Sequence, residues 1–118
     1  MQRDRGYLLD ILESAKLAVQ YLSNKSEQDF YTDTQTQDAV IRRFEVIGEA
    51  ARRISDGGQS AYPGLPWMEM IGMRNIMIHE YDNVDLHIVW NTVRNSLPDL
   101  IDAITAILGT TMADEEKG

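Results

Sequence analysis

Apolar residues recur at intervals of three and four along most of this chain, which is the spacing of one face of an α-helix. The first such stripe predicts a helix over residues 4–23, and the second predicts a helix from Thr34 or Thr36 to about Ser55. Gly48 lies inside the second helix, where a glycine costs about 1 kcal/mol relative to alanine. We therefore expect a neighbouring helix to pack closely at Gly48.

Glycine and proline divide the second half of the chain into further predicted helices. Residues 56–60 contain two glycines and predict a helix stop followed by a loop. A third helix is expected from Pro66 to Tyr81, and a fourth after Asp85, whose carboxylate suits an N-cap. Pro98 is expected to kink or break the fourth helix, because proline lacks the backbone N–H.

The chain is predicted to end in one more helix and a tail. The last helix is expected to begin near Ser96 and to end at Gly109, with residues 109–118 forming a flexible acidic tail. Residues 24–33 are polar and predict a connection between the first two helices. No segment alternates apolar and polar residues with strand composition. We therefore predict one all-α domain over residues 1–108, an up-down bundle of about five helices.

Composition narrows the possible functions. The 118 residues suffice for one domain, and the net charge of −8 argues against binding nucleic acid through bulk charge, although a local basic groove remains possible. The chain has no cysteine, which excludes disulfides, thiolate metal sites and a cysteine nucleophile and agrees with a cytoplasmic location. No apolar run approaches the roughly 20 residues of a membrane span, so we expect no membrane partner.

The segment 72–81 is the strongest candidate for chemistry. It places Arg74, Asn75, His79 and Tyr81 within an otherwise apolar stretch, where an Arg or His is costly to bury unless it is paired. A guanidinium offers a fixed fork of donors to phosphate oxygens, and an imidazole exchanges a proton near neutral pH. These residue types therefore suit phosphate chemistry.

A purely structural role would explain the same residues. Arg74 would pair with a nearby acid such as Glu45 or Glu49, and His79 would cap a helix C-terminus, where a charged His is favourable. Tyr81 would then end the helix with its ring in the core. Short patterns of this kind are frequent by chance, so residue types alone leave both interpretations open.

Helix geometry constrains the catalytic interpretation. At about 100° per residue, Arg74 and Tyr81 lie on nearly one stripe, whereas Arg74 and His79 are about 140° out of phase. Asn75 and His79 are four residues apart and share a different stripe. A second helix or a symmetric partner would be needed to bring the Arg and the His to one phosphate.

Other polar residues give weaker signals. Arg42 and Arg43 could line an RNA path, as could the arginine pair at 52–53, although an ordinary solvated face is the more common role. Neither histidine has a metal-ligand spacing with a clear third ligand. His87 follows the predicted N-cap on the polar side of its helix and is expected to be solvated. We predict no metal site.

The run Arg74-Asn75-Ile76-Met77-Ile78-His79-Glu80-Tyr81 matches the Arg-x4-His-x-Tyr motif of the HepT-like branch of the HEPN superfamily. The similarity extends to residues 38–51, to Pro66-Trp67, to Val89-Trp90 and to residues 97–100. It covers roughly residues 5 to 108 in the expected order. The sequence therefore resembles a HepT-like HEPN protein over most of its length.

The resemblance implies a homodimeric helical bundle in which two motifs face each other across a cleft. It implies the toxin of a toxin–antitoxin pair, a metal-independent ribonuclease that needs no cofactor. RNA supplies its own 2′-OH nucleophile, so His79 would act as general acid or base, Arg74 would stabilise the transition-state charge and Asn75 would orient the phosphate. The implied partner is a minimal nucleotidyltransferase antitoxin, which would bind the toxin and transfer AMP to Tyr81.

A second function remains compatible with the same residues. The domain could be a catalytically silent helical partner, a docking or nucleotide-binding module for a nucleotidyltransferase. Metal-free RNA cleavage that depends on His79 would distinguish the ribonuclease from this docking module.

Overall fold

The computed structural model describes the backbone of residues 2–79 and 85–117 and the side chains of residues 3–74 and 85–109. Every regular element in these ranges is helical, so the all-α prediction is confirmed. None of the described helices is long and apolar enough to cross a membrane. The elements are α1 (Gln2–Leu22), α2 (Glu27–Tyr31), α3 (Thr34–Arg53), α4 (Asp56–Ala61), α5 (Trp67–His79), α6 (Leu86–Asn91), a π-helical turn (Thr92–Ser96) and α7 (Leu97–Lys117).

The long helices form a bundle around one apolar core. Helix α1 packs against α3 and α7, and α3 also packs against α5. Each helix contributes side chains that are fully buried, including Ile11, Ile47, Met70 and Ile104. These contacts fix α5, which carries the Arg–His segment, against the C-terminal half of α3.

The short helix α2 lies in the polar segment that the sequence predicts as a connection. A capping box starts it: the Ser26 hydroxyl accepts a hydrogen bond from the Asp29 N–H, and the Asp29 carboxylate accepts one from the Ser26 N–H. The helix buries Phe30 completely, with its ring centroid 5.9 Å from that of Trp90. The connection is therefore part of the core.

The helix α4 lies where the sequence predicts a loop at residues 56–60. Ser55 caps it by accepting a hydrogen bond from the Gly58 N–H. The Asp4 carboxylate in turn accepts hydrogen bonds from the Ser55 N–H and hydroxyl, at 3.0 and 2.6 Å. These bonds lower the pKa of Asp4, with the Ser55 hydroxyl as the main cause. The first turn of α1 thus fixes the start of α4.

The C-terminal half has no break at Pro98, and a kink there stays a prediction. Asp85 caps α6, as predicted, by accepting hydrogen bonds from the N–H groups of His87 and Ile88. The chain then continues through the π-helical turn into α7, with the Leu97 N–H bonded to the Thr92 carbonyl five residues back. Pro98 therefore ends neither helix, because the wider turn accommodates a residue that cannot donate its own backbone hydrogen bond.

The predicted helix end at Gly109 is wrong, since α7 continues to Lys117. A Cβ added to Gly109 would meet nothing within 4 Å, so no packing requirement marks this position. A single glycine inside a helix costs only about 1 kcal/mol, which does not by itself end a long helix. The flexibility of the acidic tail stays a prediction.

Candidate active site

The Arg–His segment occupies the second half of α5. Positions 74, 75 and 79 share this one helix, as predicted. The side chains of Asn75 and His79, and the whole of Tyr81, lie outside the described residues. Arg74 is therefore the residue from which the geometry of the site can be built.

Arg74 lies where α5 approaches the backbone of α3. A Cβ built on Gly48 would lie 2.5 Å from the Cβ of Arg74 and 2.7 Å from its backbone nitrogen. Non-bonded carbon atoms prefer a separation of about 3.5–4.0 Å. Any side chain at position 48 would therefore force α5 away from α3, and the close helix packing expected there is confirmed.

The residue after Gly48 holds the Arg74 side chain. The Nε of Arg74 lies 2.7 Å from Oε2 of Glu49, which is one of the two acids that the structural interpretation suggested. Oε2 accepts no hydrogen bond of good angle among the described residues, so this contact is an ion pair rather than an aligned hydrogen bond. The Arg74 side chain keeps 35% of its surface exposed and remains open to a ligand.

Glu49 binds two further arginines through its other oxygen. Oε1 accepts hydrogen bonds from Nη2 of Arg52 and from Nε of Arg53, both at 2.8 Å. The hydrogen bond from Arg52, followed by that from Arg53, lowers the pKa of Glu49 to about 2, although partial burial acts in the opposite direction. Glu49 is thus ionised at neutral pH. We call Glu49, Arg52, Arg53 and Arg74 the Glu49 cluster.

The predicted RNA-path residues Arg42 and Arg43 have other partners. Arg42 forms an ion pair with Glu45 at 3.3 Å, and Arg43 donates a hydrogen bond of 3.4 Å to the buried Ser14 hydroxyl on α1. Within the described residues, neither arginine is ion-paired with Glu49. Their role in binding RNA stays a prediction.

The sequence analysis did not predict that Arg52 and Arg53 lie beside Arg74. A signal existed, because Glu49 lies three and four residues before these arginines, which is the spacing of helical ion pairs. The contact between Glu49 and Arg74 joins two helices and cannot be obtained from spacing along one of them.

His87 is more than a solvated side chain. Its Nδ1 lies 2.7 Å from Oε2 of Glu27, and its Nε2 lies 3.0 Å from Nδ2 of Asn91. The hydrogen bond with Glu27 raises the pKa of His87. The pair connects α6 to α2 directly after the segment that contains Tyr81.

The described residues thus form an α-helical bundle in which a partly exposed Arg precedes a His by five residues on one helix, and these residue types suit phosphate chemistry. The family model described as "Ribonuclease HepT-like" matches residues 11–107. The chain belongs to this HepT-like family, and the resemblance drawn from the motif is confirmed.

Curated relatives agree with the family assignment. The chain is 40% identical to "Probable ribonuclease HepT" of Thermococcus cleftensis over 81% of this chain and 87% of that protein. It is 36% identical to "Putative RNase MJ1380" of Methanocaldococcus jannaschii over 81% and 88%. It is 42% identical to "Gamma-glutamylcyclotransferase and putative RNase MJ0434" of the same organism over 92% of this chain but only 49% of that longer protein. No solved structure matches the chain.

Proposed function

We propose that the protein is a ribonuclease that cleaves RNA without a metal ion. The 2′-oxygen attacks the adjacent phosphorus, the bond from phosphorus to the 5′-oxygen breaks, and the products carry a 2′,3′-cyclic phosphate and a 5′-OH. The proton leaves the 2′-OH and another is delivered to the departing 5′-oxygen. One observation supports this proposal most strongly: in a HepT-like chain, Gly48 and Glu49 hold a partly exposed Arg74 in place.

Each motif residue has a distinct role in this proposal. The Arg74 guanidinium stabilises the extra negative charge on the phosphorus centre, which its planar fork of donors suits. His79 acts as general acid or base at the 2′-OH or the 5′-oxygen. Asn75 orients the phosphate or the imidazole by hydrogen bonding.

The active unit in this proposal is a homodimer. Positions 74 and 79 are about 140° apart around the axis of α5, so a second copy of the chain is the simplest way to complete the site. The sequence of helix α5 has apolar residues on all sides, and within its own chain this helix packs against α3. A second copy of the chain would cover the apolar residues that α3 does not, which supports this arrangement. Met68, in its first turn, is 84% exposed.

The proposed biological role is that of a toxin. A minimal nucleotidyltransferase antitoxin would bind the dimer and transfer AMP from ATP to Tyr81. Tyr81 follows Arg74 by seven residues in the sequence, and an AMP group carries a phosphate of the kind that a site built around Arg74 would bind. The modification would then block RNA from reaching that guanidinium.

The decisive experiment is cleavage of total tRNA and mRNA in EDTA by the purified protein and by its His79→Ala variant. We expect the wild type to cleave, and His79→Ala to lose at least about 10²-fold of the rate, as general acid–base catalysis predicts. His87→Ala is the matched control, because it removes the other histidine of the chain and should remain active. Arg74→Lys should also fail, since lysine keeps the charge but loses the fork.

The same experiment separates the ribonuclease from a docking module. Intact mass must first show that Tyr81 carries no AMP. If neither wild type nor variant then cleaves RNA, the result favours the docking module over the ribonuclease. If His79→Ala cleaves as fast as the wild type, the role assigned to His79 is wrong.

A further inference from the structure

The Glu49 cluster carries more positive charge than its structural role requires. Three guanidinium groups face one carboxylate, in a chain whose net charge is −8. A single arginine would neutralise Glu49, and exposed surface ion pairs contribute only about 0–1 kcal/mol each. Additional arginines on the same carboxylate bring like charges together, so a structural need for Glu49 does not explain them.

Arg52 and Arg53 are also positioned to meet a ligand. Their side chains are 53% and 54% exposed on the last turn of α3. Each is bonded to the same carboxylate that contacts Arg74, so all three guanidinium groups surround one point beside α5. The Tyr7 side chain also hydrogen-bonds Arg53. The positive charge is therefore held in place beside Arg74.

Arg42 lies on the same helix and shows the contrast. It too forms an ion pair three residues away along α3, and its side chain is 65% exposed. Its partner Glu45 faces one arginine, so the described ion pair is neutral as a whole. Arg42 thus shares its helix and its exposure with Arg52 and Arg53, but the surplus of positive charge lies at Arg52 and Arg53.

We propose that Arg52 and Arg53 bind the phosphodiester groups of RNA that flank the phosphate held by Arg74. This inference rests on the proposed ribonuclease function and names the surface along which the substrate lies. Arginine forks bind phosphate oxygens with two hydrogen bonds and carry no sequence information, so these contacts position the RNA without selecting its bases. The RNA path then includes the C-terminal end of α3.

The test is binding of a fully 2′-O-methylated oligoribonucleotide, which lacks the 2′-OH nucleophile and is not cleaved. Affinity is measured by fluorescence anisotropy between about 50 and 200 mM salt, a range over which phosphate contacts change it strongly. The variant is Arg52→Gln/Arg53→Gln. The control is Lys16→Gln/Arg94→Gln, which removes the same number of positive charges from exposed helix positions.

We expect the Arg52/Arg53 variant to reduce the slope of log K against log salt by about 1.4, since each single-strand phosphate contact contributes about 0.7. At about 0.1 M salt, which is one logarithmic unit below 1 M, this change of slope corresponds to roughly 25-fold weaker binding. Arg52→Gln alone should give about half the change in slope, and circular dichroism verifies that each variant is folded. The control pair should leave the slope unchanged.

The outcomes separate this inference from the proposed function. If the wild type cleaves RNA but the Arg52/Arg53 variant binds with the wild-type slope, the inference is overturned and the ribonuclease stands. An equal loss in the control would also overturn it, because the effect would then be one of overall charge. If the wild type neither binds nor cleaves RNA, the proposed function fails and this inference fails with it.

Discussion

Replacing Gly48 by alanine tests how Arg74 is positioned. The added Cβ would lie 2.5 Å from the Cβ of Arg74, 2.7 Å from its nitrogen and 3.1 Å from its Cα. Two of these three atoms are backbone, so a change of rotamer at Arg74 cannot relieve the contact. Helix α5 itself must move away from α3, by about 1 Å if carbon contacts are to regain their usual 3.5–4.0 Å.

Two opposing effects decide the stability of the Gly48→Ala variant. Overpacking a close contact costs about 1–3 kcal/mol, whereas alanine in a helix interior gains about 1 kcal/mol over glycine. The net loss should therefore be about 0–2 kcal/mol, which most folded domains tolerate. A shift of about 1 Å in a catalytic group can cost about 10²-fold in rate. Activity should thus fall far more than stability.

The assay compares kcat/KM for RNA cleavage with the free energy of unfolding in urea. Gly6→Ala is the matched control, because Gly6 lies inside α1 and a Cβ there meets nothing within 4 Å. That control should gain up to about 1 kcal/mol and keep its activity. A Gly48→Ala protein that gained stability like the control and cleaved RNA at the wild-type rate would refute the reasoning.

Two further predictions concern the contacts of α2. Phe30→Ala should lower the free energy of unfolding in urea by about 3–5 kcal/mol, because it empties a fully buried site against Trp90; a loss below about 1 kcal/mol would contradict the placement of α2 in the core. Glu27 raises the pKa of His87 above its ordinary 6.5, so the stabilisation from this pair is fully present below pH 6.5 and is lost as pH rises through the raised value. In the His87→Gln variant, stability should therefore decline less as the pH rises through this range. The midpoint of urea unfolding, measured across a pH series, checks this. An unchanged decline would show that the pair of Glu27 and His87 does not cause it.

The long helices could be predicted because their signal lies within each element. The apolar stripes of α1 and α3 repeat at helical spacing, and the Asp85 cap directly precedes α6. The helices α2 and α4 have too few residues for such a stripe. Their stability depends on caps and distant contacts, including the bond between Asp4 and Ser55 across 51 residues.

Some parts of the candidate site could be predicted from the sequence and others could not, for the same physical reason. The family motif identifies Arg74 from the order of residues alone, and the cost of Gly48 within a helix indicates close packing. Which acid pairs with Arg74 depends on how α5 crosses α3, so the sequence left Glu45 and Glu49 as alternatives. The crossing places Arg74 beside Glu49, whereas Glu45 pairs with Arg42 along α3 itself.

The π-helical turn between α6 and α7 also determines where this chain can change length. Such a turn contains one residue more than an α-helical turn. Deleting one residue from Thr92–Ser96 would therefore restore an α-helical turn and keep α7 in nearly the same orientation relative to α6. Deleting one residue from the α-helical turn just before Leu100 would instead rotate the rest of α7 by about 100°. Leu100 and Ile104, which are buried in the bundle, would then leave the side that packs against α1.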